Sequence, residues 1–262
     1  MTDNPMTVLV VGATGSIGRL VVAEAIAQGH TTRALVRNPS RARQLPPEAH
    51  IVVGDVTDPE TLPPAVAGVD AIVLTLGSDG SGHSSPESVD YGGVRNILNA
   101  LGTQAARIAL MTSIGATTRS SSYGHLLEWK RRSERLVRAR GLPYTIVRPA
   151  WFDMNGPDEH RLVFLQGDIR RTGSPRDGVI ARHQIAEVLV ASLTSPHAEH
   201  RTFELVAEAG PAPADLDPLF AALEQDPPGA LDAVRDENNM PLEDEPRQVR
   251  DDLNALAARR DA

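Results

Sequence analysis

Residues Thr7 to Gly18 read TVLVVGATGSIG. Thr7 to Val11 are all β-branched or leucine, the composition of a strand buried on both faces, as in a parallel sheet. Gly12, Gly15 and Gly18 follow at three-residue spacing, and the apolar pattern turns helical through Ile17, Leu20, Val21, Ala25 and Ile26. A strand, tight turn and helix in that order aim free backbone amides and the positive end of a helix dipole at one point. Glycine lets a phosphate approach there without meeting a Cβ. The stretch predicts a dinucleotide site contacted by Gly12, Thr14, Gly15, Ser16, Ile17 and Gly18.

Working outward, Thr31–Val36, His50–Val53, Ala71–Leu76, Arg107–Met111 and Tyr144–Arg148 read as further strands separated by helical patterns. Six strands alternating with helices predict an α/β fold of Rossmann type, a doubly wound parallel sheet. Arg37 ends the second strand, where an adenosine ribose would lie. An arginine fork pairs with a 2′-phosphate, whereas a carboxylate would repel it, so Arg37, with Arg33, Arg41 and Arg43 nearby, favours NADP over NAD. Asp55, beside Val56, can accept from an adenine amino group at the third strand's end. The fourth strand ends at Leu76, Gly77 and Ser78, which would face cofactor and substrate. His83 reads as a solvated loop residue.

Beyond Trp151 the pattern thins to a short strand (162–165), a helix starting near Arg182 and a final strand (201–206), a small layer on the substrate side. Residues 1–209 thus read as the nucleotide-binding domain, with substrate-side elements from about residue 151. Residues 210–262 read as an acidic, partly ordered appendage available to a protein partner. The net charge of −8 lies entirely there: from Gly210 onward 13 acidic residues face 5 basic ones, leaving the first 209 neutral. No basic face for nucleic acid stands out. No apolar run reaches the roughly 20 residues that span a bilayer, and MTDNPMT lacks signal-peptide character, so a cytoplasmic protein without membrane contact is expected. With no cysteine there is no disulfide, thiolate catalyst or cysteine metal site, and no metal is expected. The helix at 124–140 carries i,i+4 charge pairs that predict a wet face. Of 26 basic residues only Lys130 is a lysine, which points to a need for an ammonium there.

GATGSIG (12–18), GDVTD (54–58), Ser113 after the fifth strand and EWKRRSERLVRARGLPYTIVRPAW (128–151) together resemble the atypical short-chain dehydrogenase/reductases. Within that superfamily they are similar to the NmrA-like NAD(P)H-binding proteins and the flavin reductase (biliverdin reductase B) group, over about residues 7–205. The resemblance implies that Ser113 and Lys130 stand at the family's catalytic serine and lysine, and Pro149 on the nicotinamide side. The family's YxxxK tyrosine is missing: four residues before Lys130 stands Leu126. Tyr123 is two helical turns away, roughly 10 Å at about 1.5 Å per residue, and reaches the pocket only by preceding the helix and folding inward.

The missing acid restricts the chemistry. Reducing a simple ketone generates an alkoxide that needs a positioned proton donor, commonly worth 10²–10⁴ in rate. A flavin- or quinone-like acceptor delocalises the incoming charge and takes its proton from water, so ring positioning suffices. The sequence thus predicts an NADPH-dependent oxidoreductase for a conjugated small molecule, with Trp151 and Phe152 as an aromatic wall. A non-catalytic NADP(H) sensor of NmrA-like type is the alternative, and an epimerase that recycles its nicotinamide ranks last.

Overall fold

The computed structural model describes residues 4–78, 84–119 and 124–260. The chain alternates through β1 (Thr7–Val11), α1 (Gly18–Ala27), β2 (Thr31–Val36), β3 (His50–Val53) and the short α2 (Pro63–Val66). It continues with β4 (Ala71–Leu74), α3 (Gly92–Ala100), β5 (Arg107–Met111), α4 (Gly124–Arg140) and β6 (Tyr144–Pro149). The remainder holds β7 (Trp151–Phe152), β8 (Arg161–Leu165), β9 (Val179–Ile180), α5 (Arg182–Thr194), β10 (Arg201–Glu208), α6 (Asp217–Ala221) and α7 (Arg247–Ala258).

Seven strands run parallel in the order β3-β2-β1-β4-β5-β6-β10. This is the expected doubly wound Rossmann arrangement, extended by β10. The order reverses between β1 and β4, where a crevice opens beyond the strand ends. β1 sits at the centre with both faces covered. Val8 and Val10 pack in one core with Val21 and Ala25 of α1 and Ile185 and Leu189 of α5. Leu9 and Val11 pack in the other with Ile97 and Leu98 of α3 and Leu136 of α4. The unbroken apolar run in Thr7–Val11 is the signature of this two-sided burial. Past the end of β6, β9 takes over beside β10 (Ala207 opposite Val179), and β8 lies antiparallel on the opposite edge. Between β4 and α3 the chain makes a π-helical turn, Pro86–Tyr91, capped by Ser85.

The wet face expected of α4 is a correction. Every residue from Trp129 to Arg140 is buried, including Arg131, Glu134, Arg135 and Arg138. The acidic segment after Gly210 covers them. Asp232 and Glu245 pair with Arg135 at 2.6 and 2.8 Å, Glu245 with Arg132 at 2.7 Å, and Asp226 with Arg138 at 3.3 Å. At the centre Arg148 of β6 pairs with Glu134 and with Asp236, both at 2.7 Å. Val249, Leu253 and Leu256 of α7 join the α3–α4 core, and Phe220 of α6 packs with Phe164 and Phe203. An i,i+4 charge pattern records that a helix face carries charge, not which medium neutralises it. Here the neutralising carboxylates come as much as 113 residues later.

Two buried carboxyls respond to this network in opposite senses. Burial works to raise Asp236, but the Arg148 guanidinium outweighs it and brings the carboxyl down to about 2. Burial pushes Glu204 up to about 8 against the pull of Arg148.

Replacing Arg148 by Met leaves Glu134 and Asp236 buried without their cation and is expected to cost about 3–5 kcal/mol, read from the denaturant midpoint. A loss below about 1 kcal/mol would show that the network is not the source of the tail's attachment. Glu204 has a folded pKa above its unfolded one, so its contribution is fully present below the unfolded value and is lost as pH rises towards about 8. Glu204→Gln is expected to flatten the decline in thermal stability between those limits. An unchanged slope would assign the decline to other groups.

Candidate functional site

The glycine turn is closed by its own backbone. The Gly15 amide donates to the Gly12 carbonyl at 2.9 Å, and Gly12 has φ +85°, in the left-handed region that favours glycine. A Cβ on Gly18 would stand 2.1 Å from that same carbonyl oxygen, so only glycine lets α1 start this close to β1. The amides of Ser16 and Ile17 make no hydrogen bond among the described residues. They are open donors at a helix start, the arrangement that binds anions.

A cleft of about 290 Å³ opens over this turn. Gly12, Thr14, Gly15, Ser16, Arg37, Val56, Leu76 and Gly77 line it, so most of the predicted cofactor residues come together. Ile17 and Gly18 are buried beneath it, anchoring the turn. Arg37 and Arg41 are exposed on its rim, and neither forms an ion pair among the described residues. Arg33 is occupied elsewhere, donating to the Ala67 carbonyl at 2.6 Å, and Arg43 is not among the described lining residues. Asp55 is not among them either: its carboxylate accepts from the Thr57 amide and hydroxyl, both at 2.9 Å, in a local turn.

A second cavity, about 630 Å³, lies beyond the ends of β5 and β6. Ser113, Leu126, Trp151 and Phe152 line it together. Pro149 is not among the described residues lining either space; its carbonyl accepts from the amide of Ile114, which lines the second, at 3.1 Å. The Ser113 loop is held by a residue the sequence did not single out. Asp168 is fully buried and accepts from the Gly115 amide at 2.6 Å, the Thr117 amide at 2.7 Å and the Thr117 hydroxyl at 2.9 Å. Asp177 lines the same cavity. Burial alone would raise its pKa, but the amides of Thr172, Ser174 and Gly173 hold it below the usual carboxylate range.

Lys130 is not among the described residues lining either space. Its ammonium lies 2.7 Å from Asp90 Oδ1, and Asp90 Oδ2 accepts from the Ser78 amide at 3.0 Å. The only lysine therefore reaches the strand-end segment at Ser78 through a carboxylate. Asp90 sits in the π turn, where an extra residue re-aims side chains that a regular helix would point elsewhere. Inside an apolar helical pattern nothing marked it in the sequence. Tyr123 and His83 lie outside the described residues. Among the described residues no group of three or more His, Asp or Glu is placed to hold a metal, and no helix is long and apolar enough to cross a membrane.

A family described as NAD(P)H-binding matches residues 12–196. The uncharacterized sugar epimerase YhfK of Bacillus subtilis is 30% identical over 208 residues, which are 76% of this chain and 94% of that protein. Sanguinarine reductase of Eschscholzia californica is 26% identical over 266 residues, 84% of this chain and 97% of its own. Among solved structures, a putative NAD-dependent epimerase/dehydratase from Bacillus halodurans superposes with a TM-score of 0.68 at 23% identity, covering 82% of this chain and 99% of that one. The matched segment begins at Gly12 and runs through the strands that build both cavities. The chain belongs to the NAD(P)H-binding family, among the atypical, NmrA-like short-chain dehydrogenase/reductases.

Proposed function

We propose that this protein is an NADPH-dependent oxidoreductase acting on a conjugated small molecule of flavin or quinone type. When bound, a reduced nicotinamide supplies a hydride. The chain's part is to place two rings against each other and exclude water. The open amides of Ser16 and Ile17 take the pyrophosphate, and Arg37 with Arg41 takes the 2′-phosphate. Ser78 and Ser113 hold polar groups of the acceptor or the nicotinamide amide, while Trp151 and Phe152 form the apolar wall. Lys130 acts as a positioning residue, fixing Ser78 through Asp90.

The observation that carries this reading is the lining of the second cavity. It is large and apolar, carries two aromatic rings, and has no tyrosine, histidine or lysine among its described residues. Its one carboxyl, Asp177, is held ionised by three backbone amides and has no proton to give near neutrality. An acceptor that stabilises its own charge fits such a site, and a simple ketone does not. The relative named for reducing sanguinarine supports a reductase of small molecules.

A second reading is favoured by the Asp90–Lys130 pair, which keeps the lysine from any proton relay: a non-catalytic sensor of the NADP(H) ratio. It requires NADP+ and NADPH to bind with different affinities without turnover. A partner for its tail would meet the exposed carboxylates Glu243 and Asp244, because Asp226, Asp232 and Glu245 pair with α4, Asp236 with Arg148 of β6 and Glu237 with Arg171.

Mixed with NADPH, the protein is expected to reduce at least one flavin or quinone about 10² times faster than any simple ketone, with kcat nearly flat between about pH 6 and 9. No oxidation of NADPH with any acceptor, together with unequal NADP+ and NADPH affinities, would favour the sensor. Arg37→Gln is expected to weaken NADP+ about tenfold while leaving NAD+ unchanged in calorimetry. Equal effects on both would place the 2′-phosphate elsewhere.

A further inference from the structure

Arg182 is the first residue of α5; it is not among the described residues lining either cavity, but its side chain touches one lining residue of each. Its Nε donates to Ser16 Oγ of the glycine turn at 3.2 Å. Its guanidinium carbon stands 5.1 Å from the centroid of the Phe152 ring in the second cavity's wall. A terminal nitrogen pairs with the Asp153 carboxylate. α1 and α5 pack on the same face of the sheet, so Ser16, just ahead of α1, and Arg182, opening α5, bring two helix starts together. The guanidinium thus touches the side chain of Ser16, a residue whose amide, like that of Ile17, is open. The Arg182 and Asp153 side chains are 34% and 49% exposed, so their pairing is in contact with water and is weakly held.

We infer that Arg182 is a cofactor-contacting residue that grips the dinucleotide's pyrophosphate, exchanging the Asp153 carboxylate for a phosphate oxygen. The inference rests on the dinucleotide reading above. A diphosphate carries two negative charges, and Arg37 and Arg41, at the end of β2, are placed for the adenosine end. A planar guanidinium matches phosphate oxygens with two parallel charge-assisted bonds, stronger than the bond it makes to a neutral hydroxyl. Asp153 is then a competitor for the same cation. Its carboxylate also accepts from the Arg182 amide at 3.0 Å, capping α5. An asparagine keeps that acceptor while removing the charge.

Calorimetric titration of the full chain with NAD+ and NADP+ separates the possibilities. Arg182→Gln is expected to weaken both ligands by the same factor, on the order of tenfold, because both carry the pyrophosphate. Asp153→Asn is expected to tighten both several-fold. Unchanged affinities in Arg182→Gln would overturn the assignment, as would a loss confined to NADP+, which would put the guanidinium on the 2′-phosphate. Unchanged or weaker binding in Asp153→Asn would overturn the exchange of partners, and this variant decides alone should Arg182→Gln lose its cooperative thermal transition. Wild-type protein that takes up neither ligand would overturn the dinucleotide reading itself.

Discussion

The carbonyl oxygen of Gly12 occupies the space that a side chain at position 18 would need, and much of the site follows from that contact. Because Gly18 lacks a Cβ, α1 can begin directly against the end of β1, its first amides pointing over the crevice between β1 and β4. A larger residue would push the helix start away, and the donors of Ser16 and Ile17 would no longer converge. The buried strand behind the turn gives this geometry its rigidity. β1 is bonded on both edges and packed on both faces, so the turn has little freedom to adjust.

A second constraint holds the other half of the site. Glu134 on α4 accepts from the Thr112 hydroxyl at 2.7 Å and pairs with Arg148, joining the ends of β5 and β6 beneath the cavity that Ser113 lines. Arg148 in turn reaches Asp236 in the C-terminal segment. Taking these charges from water is costly, and the cost is offset only because each has partners at hydrogen-bonding distance. The acidic segment is therefore a counter-charge for α4, folded along it. Four of its 13 acidic residues are used as counter-charges, Asp226, Asp232 and Glu245 on α4 and Asp236 on Arg148 of β6.

The two spaces beyond the strand ends have different chemistry. One is lined by glycines, small polar residues and two arginines with no ion pair among the described residues, and suits phosphates. The other is apolar and aromatic, with carboxylates turned to structural tasks: Asp168 and Asp177 both bind backbone amides around it. Lys130, which the resemblance sets at the family's catalytic lysine, is bonded to Asp90 in this structure. That pair holds Ser78 at the strand end, so the lysine influences the site through backbone position.

The strand–turn–helix at Thr7–Gly18, the alternation that makes the sheet, and the cluster of cleft residues were legible in the sequence. They depend on contacts among near neighbours and on periodicity, both of which are written along the chain. So was the absence of a tyrosine at position 126. What the sequence left open depends on pairs far apart: Asp168 with Gly115, Asp90 with Lys130, Arg182 with Ser16, and the tail carboxylates with the α4 arginines. A charged residue in a helix looks the same whether water or a distant carboxylate faces it, and Asp55 looks the same whether it meets a ligand or its own Thr57. Only the folded chain, by bringing those partners within about 3 Å, decides which charges are spent inside and which remain free to bind.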